Sequence, residues 1–197
     1  MAPTAVDLLA PVYRLSVAQY RRMGEIGLFD GEDVRVELID GVVLETSPAD
    51  WPHLRAVMWL NRALEPQLGE RHILSPQQGI RLPVLQSMPE PDIAILEVSE
   101  VLDAAVETDR PLLVVEVANA SLQLDRITKS RLYARHGVED YWIANLEEEV
   151  VEVHRDPTGE QWNARTVHGA GELLRPLLLD GVSVELDALF AFTAERR

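Results

Sequence analysis

Asp92 directly follows Pro91 and opens the apolar run Ile93-Ala94-Ile95-Leu96. Glu116 lies near the end of a second apolar run, Leu112-Leu113-Val114-Val115-Glu116-Val117. Lys129 lies in the next segment, Ser121 to Lys129, whose composition predicts a helix. Two carboxylates at strand ends are hard oxygen ligands for a divalent cation, and an ammonium beside them can serve the same reaction centre. Each residue also has an ordinary explanation. Pro-Asp is a common turn pair, and a strand-end glutamate can reach solvent. Asp125, four residues before Lys129, makes a helix-surface ion pair with it, and Tyr133 continues that face at the next step. Acid, base and phenol in a row equally describe one wall of a polar cleft. Glu116 is the hardest to explain away, because a carboxylate inside an apolar run is costly unless it is paired or metal-bound.

The elements that must position these residues read as mixed α/β. Leu15 to Ile26 has helical character, with Ser16 as N-cap and Gly27 near its end. Val34 to Ile39 alternates, and Asp40-Gly41 then joins it to Val42–Thr46, a strong hairpin signal. Asp50 caps a predicted helix through Leu68, with Leu54, Val57, Met58 and Leu64 on its apolar stripe and Gly69 as a stop. Ile73-Leu74 and Gly79–Leu82 predict two more strands, and a Pro-rich bend (Pro83, Pro89, Pro91) leads to Asp92. The strands of Asp92 and Glu116 are apolar on both faces, which places them in mid-sheet. Glu97 to Pro111 reads as loop or short helix. After the Lys129 helix, His136-Gly137 is a stop, and Tyr141–Ala144 returns as a strand. Val150–His154 pairs with Trp162–Val167 across Asp156-Pro157-Thr158-Gly159, and Leu186 to Phe192 closes the domain with a short helical turn. Residues 1–12 read as a loose leader, and residues 13–197 as a single domain. A strand–helix–strand unit lies at its centre.

Composition narrows the function classes. The chain has 197 residues, 47% of them hydrophobic, enough for a sizeable core. There is no cysteine, so disulfides and thiolate metal sites are excluded. No apolar run approaches the roughly 20 residues that span a bilayer, and the start lacks a signal-peptide pattern, so the expectation is a cytoplasmic protein with no membrane partner. The net charge of −15 is opposite to that of most nucleic-acid binders and slows approach to a polyanion.

From Tyr13 to about Asp156 the chain resembles the Uma2 family, a group with the PD-(D/E)XK nuclease fold. The resemblance rests on Val36-Glu37-Leu38-Ile39-Asp40-Gly41-Val42-Val43, on Ser47-Pro48 with His53, on Glu90-Pro91-Asp92-Ile93-Ala94 and on Val114-Val115-Glu116-Val117. Its longest stretch runs from Ser121 through Asp125, Lys129, Tyr133 and Gly137 to Tyr141-Trp142. It implies a restriction-endonuclease-like core, a central mixed β-sheet flanked by helices. It also implies a divalent-metal-dependent endonuclease acting on DNA, with Asp92 and Glu116 ligating Mg²⁺ or Mn²⁺ and the Val117 carbonyl as a further ligand. The usual nuclease motif places a lysine two residues after the second acid. Ala118 stands there, and the resemblance moves that role to Lys129. Glu37 matches an early acidic position that completes the metal shell or positions water. Asp125, Gln78, His53 and Tyr133 are auxiliary candidates, and Arg126, Arg131 and Arg135 are candidates for a phosphate track. Trp51, Trp59, Tyr141 and Trp142 read as core. Many nucleases act as homodimers, which the resemblance extends to this chain. A non-catalytic module that keeps the fold for protein interaction or assembly is the alternative, favoured by the acidity and by Ala118.

Overall fold

The computed structural model describes residues 12–31, 35–46, 49–82, 85–100, 106–107 and 111–194. The segment 1–11 of the expected leader, Ser47-Pro48, and most of the expected loop between Glu97 and Pro111 lie outside them.

Local chemistry accounts for the first elements. Helix α1 (Val17–Glu25) begins in a capping box in which Ser16 and Gln19 each satisfy a backbone N–H of the other. Strands β1 (Arg35–Ile39) and β2 (Val42–Thr46) are joined by Asp40 and Gly41 at φ 49° and 73°, the conformation a two-residue type I′ turn requires. Helix α2 (Trp51–Leu64) starts on Asp50, whose carboxylate accepts from the His53 N–H. It stops short of the expected Leu68, because Pro66 cannot continue the hydrogen-bond ladder and a 3₁₀ turn (Glu65–Gln67) takes over. Its buried stripe is Ala56, Val57, Leu60 and Leu64. Met58, assigned to that stripe from sequence, is exposed instead, one step outside the arc that meets the sheet.

Strands β3 (His72–Pro76), β4 (Ile80–Arg81), β5 (Ile93–Glu97), β6 (Val106–Glu107) and β7 (Leu113–Ala118) follow. A π-helical segment (Leu124–Lys129) then runs into α3 (Ser130–His136), which ends on Gly137 in the left-handed conformation at φ 84°. Strands β8 (Asp140–Asn145), β9 (Val150–Thr158) and β10 (Gln161–His168) complete the main sheet. The β9–β10 turn sits on Gly159-Glu160, two residues further than the sequence pattern placed it, since β9 continues through Pro157 and Thr158 opposite Trp162 and Gln161. A short ribbon, β11 (Leu173–Leu174) with β12 (Val184–Glu185), precedes α4 (Leu186–Ala194).

The main sheet has the order β10-β9-β8-β7-β5-β3. It is mixed: β7 and β8 are parallel across the helical crossover, and the other neighbours are antiparallel. This is the expected mixed α/β architecture, with β5 and β7 inside the sheet as their two-faced apolarity requires. Alternation divides the core. Ile93, Ile95, Val115, Val117, Trp142 and Ala144 pack beneath α2 and α4, whereas Ala94, Val114, Tyr141 and Ile143 pack beneath α3. The β1–β2 hairpin lies over the α3 side, held by Arg135 to Asp40 and by Leu38 with Met88 through paired backbone hydrogen bonds. Among the described residues no helix is long and apolar enough to cross a membrane.

Candidate active site

Antiparallel pairing of β5 with β7 sets Ile93 opposite Val115, so the start of β5 meets the end of β7. Asp92 and Glu116 therefore line one cleft of about 230 Å³, together with Glu37 from β1, His53 from α2, and Asp125 and Lys129 from the crossover. Among the described residues lining it, seven are acidic and two, Arg35 and Lys129, are permanently basic.

Lys129 is 4% exposed. Its Nζ donates to Glu37 Oε1 and to Glu116 Oε1, each at 3.1 Å, and the Tyr133 hydroxyl donates to the same Glu116 oxygen at 2.8 Å. The ordinary reading, a surface pair with Asp125, does not describe this lysine. Asp125 accepts from Ser121 Oγ at 2.6 Å, and both Asp125 and Lys129 are buried. The π turn explains how both point inward. The Ser130 N–H donates five residues back to the Asp125 carbonyl, which also accepts from the Tyr141 hydroxyl at 3.1 Å. A helical winding of this kind is rare, occurs mostly at functional sites, and has no propensity signature in sequence.

Asp92 is held differently. His53 Nε2 lies 3.0 Å from both of its oxygens, the Val117 N–H donates to Oδ2 at 2.8 Å, and Gln77 Nε2 donates to Oδ1 at 3.3 Å. An ionised carboxylate has about four acceptor sites, so most of this one is engaged. Gln77, not the expected Gln78, reaches the site. Gln78 is exposed and, among the described residues, donates to the Gln77 carbonyl, and in a loop no period separates one glutamine from the next. Sequence reasoning also passed over Glu90, Asp50 and Asn119 as cleft residues; Asn119 donates to the Asp50 carboxylate. Glu90 was legible in principle, since it lies two residues before Asp92 in one matched stretch.

The groups of the cleft differ in their electrostatics. Burial alone would depress the Lys129 ammonium, but Glu116, Glu37, Asp125 and Asp92 outweigh it and hold its pKa above the usual lysine range. Between these carboxylates the lysine is held in its charged form. Burial drives Glu116 well above the usual carboxylate range, with Lys129 opposing and Asp125, Asp92 and Glu37 reinforcing. Burial likewise lifts Asp125 to about 6, against Lys129 and the Ser121 hydrogen bond. Asp92 is buried too, yet the bonds from His53 and Val117 overcome that cost and leave it below its ordinary value. Carboxylates pushed apart within one cleft occur at functional sites and in structural ion-pair networks alike.

A second buried ionic group stabilises the crossover. Glu152 lies in the same cross-strand row as Glu116, through Ile143, and accepts from Arg126 Nε at 2.6 Å and from Arg165. Arg126 and Arg135 are thus engaged by carboxylates, leaving Arg131 as the exposed member of the expected phosphate track. Beside Glu152, burial and Arg165 push the His154 imidazole down to about 4, despite the pull of Glu152. A histidine depressed in the fold stabilises fully above its unfolded pKa, near 6.5, and that contribution is lost as pH falls toward 4. Asp125 titrates in the opposite sense over part of the same range, so the difference between two proteins isolates His154. His154→Gln is expected to close its stability gap to wild type, or overtake it, between pH 7 and pH 4.5 in urea titrations. A gap independent of pH would contradict the neutral, buried imidazole.

The family comparison decides what this cleft belongs to. A model of the Uma2 family, described as "Putative restriction endonuclease", matches residues 17–188, beyond the stretch to Asp156 that the motifs alone carried. The chain belongs to the Uma2 family. A solved crystal structure, described as a "putative nuclease belonging to DUF820 from Anabaena variabilis", has a similar fold. Its TM-score is 0.70 at 17% identity, over 93% of this chain and 99% of that one. No curated protein matches the chain. Within this Uma2 chain the matched residues Glu37, His53, Asp92, Glu116, Asp125, Lys129 and Tyr133 all meet at or beside one cleft.

Whether the cleft suits a divalent cation can be judged from its donors. They are hard carboxylate oxygens, and Glu37 Oε2 is buried without a hydrogen-bond partner. Among the described residues no three His, Asp or Glu side chains converge closely enough to hold a metal ion by themselves. Carboxylate oxygens are the donor type that Mg²⁺ takes, commonly from one or two side chains with the remaining positions left to water and substrate phosphate.

Proposed function

We propose that this chain is a divalent-metal-dependent endonuclease that hydrolyses DNA phosphodiester bonds. The supporting observation is that Asp92, Glu116 and Lys129, separated in sequence, share one cleft of a nuclease-family fold. Asp92 and Glu116 would hold Mg²⁺ or Mn²⁺. The Val117 carbonyl, on the same strand edge as the N–H that binds Asp92, would be a further oxygen ligand. A cation so held supplies Lewis acidity toward phosphate and a more acidic water.

The protein's own groups do the rest. Lys129, fixed by two carboxylates, presents a preorganised positive charge where negative charge grows on the phosphate oxygens. The carboxylates around it hold its pKa up, which supports an electrostatic role for this lysine over proton abstraction. Tyr133 and Lys129 occupy one oxygen of Glu116 and so orient the other. His53 and Val117 keep Asp92 ionised and set its direction. The free oxygen of Glu37 is available to position water. Ala118 at the usual lysine position, and a Lys129 already neutralised by two acids, favour the alternative of a non-catalytic module with the same fold.

One assay separates the two. Linear and circular DNA, single- and double-stranded, and RNA are incubated with Mg²⁺ or Mn²⁺ and either wild type or Asp92→Asn, which keeps acceptors for His53 and Val117. Metal-dependent DNA cleavage by wild type that is abolished in Asp92→Asn is expected. Cleavage that survives the substitution places the chemistry elsewhere, and a wild type inert on every substrate with both metals favours the non-catalytic module.

A further inference from the structure

Trp51 stands apart from the other tryptophans. Sequence patterning assigns it to the core, yet it is 63% exposed. The other three tryptophans are packed: Trp142 is buried under α2 and α4, Trp59 lies against the same core, and Trp162 stacks on Tyr141 and donates to Ser130. Among the described residues no hydrogen bond, ion pair or ring contact engages the Trp51 indole. Its place is specific. It is the first residue of α2, between Asp50 and His53, both of which line the cleft. Trp51 does not itself line the cleft, but as an exposed aromatic next in the chain to a residue that does, it stands beside the cleft and not on a remote surface.

The charge of the cleft narrows what that contact is for. With seven acidic residues against two basic ones, phosphate contacts cannot supply most of the grip on a polyanion. Stacking of a base on an aromatic ring is indifferent to that field, because every base has a π-face and the contact involves no net charge. A base is free to stack only when it is unpaired. In a duplex it must first leave its neighbours, at a cost of a few kcal/mol.

Building on the nuclease reading, we propose that Trp51 is a stacking platform for an unpaired base at the mouth of the cleft, and that the substrate class is single-stranded DNA. The indole holds one nucleobase outside the acidic interior while the adjoining phosphate reaches Lys129. Trp51 is thereby a positioning and specificity residue that contributes affinity, with Asp92, Glu116 and Lys129 responsible for the chemistry. Affinity won mainly by stacking also depends weakly on salt, since few counterions are released.

The test measures binding, apart from cleavage. A fluorescein-labelled thymidine dodecamer and a duplex of the same length are titrated by anisotropy with Asp92→Asn, so that the strand persists, and with the same protein carrying Trp51→Ala or Trp51→Phe. Single-strand binding is expected to weaken about 5- to 150-fold in Trp51→Ala, the range that base–aromatic stacking spans. Trp51→Phe should retain most of the affinity. Duplex binding should be weaker from the start and unchanged by either substitution. Thermal unfolding of the variants should match the parent, because the side chain is exposed. Equal single-strand affinity in Trp51→Ala, or a duplex bound as tightly as the single strand, overturns the platform while leaving the nuclease reading intact. If the parent binds neither nucleic acid, the platform falls, while the nuclease reading is decided separately by cleavage in the wild type.

Discussion

Lys129→Met is expected to destabilise the fold by about 3–5 kcal/mol at neutral pH, the range for removing one partner of a buried ion pair. The methionine fills the volume, but Glu37 and Glu116 then face one another in the cleft without a cation. The sign of the pH dependence follows from Glu116. Its folded pKa already lies above its ordinary 4.5, and losing the ammonium that pulls it down raises it further. A carboxyl with a raised folded pKa stabilises below its unfolded pKa, and that contribution disappears as pH rises through the folded value. The defect should therefore grow from pH 5 to pH 8 and shrink toward acid, as read by urea unfolding at each pH. Adding Glu116→Gln to Lys129→Met should recover a large part of the loss. A Lys129→Met protein as stable as wild type at pH 8 would show that the ammonium is not held between the two acids.

Glu116→Gln is expected to separate stability from activity. The amide oxygen can take the place of Oε1, accepting from both Tyr133 and Lys129, and the ammonium keeps Glu37. Burial disfavours the ionised carboxylate, so a neutral group of the same shape removes that penalty. Against this, Lys129 loses one charged partner. The two effects oppose, and the folding stability should change by no more than about 1 kcal/mol. Cleavage should fall about 100- to 1000-fold, corresponding to the several kcal/mol that a cation supplies to charge stabilisation. The measurements are thermal or urea unfolding alongside initial cleavage rates across a metal titration. A Glu116→Gln enzyme with wild-type rate at equal metal would remove Glu116 from the cation site. A collapse in stability matching that of Lys129→Met would mean that its role is structural. The contrast matters because both residues belong to one hydrogen-bonded network, yet only one of them carries the charge that the network needs for folding.

Much of this was written locally. Ser16 and Asp50 cap helices because their oxygens accept the N–H groups that a helix start leaves free. Asp40-Gly41 turns a hairpin because those residues tolerate positive φ. The apolar runs around Asp92 and Glu116 belong inside a sheet because both of their faces are dry. Errors fell where periodicity lacks force. Met58 sits at the margin of a helical arc, and Gln77 and Gln78 share a loop without alternation. The β9–β10 turn moved by two residues because cross-strand pairing tolerates Pro157 where its missing N–H is not needed.

By itself the sequence determined which residues carry charge, which segments are strands or helices, and that Glu116 needs a partner. Only the tertiary structure decided which partner. Glu37 and Lys129 are 92 positions apart and meet because the hairpin folds over α3. The inward turn of Lys129 depends on a π-helical winding that local propensity does not encode. Trp51 looks like core in sequence and is left exposed, next to cleft-lining Asp50, only once α2 is docked with its first turn beside Asp92. Local preferences act over a few residues, whereas burial, ion pairing and the pKa values that follow from them arise from groups that folding brings together.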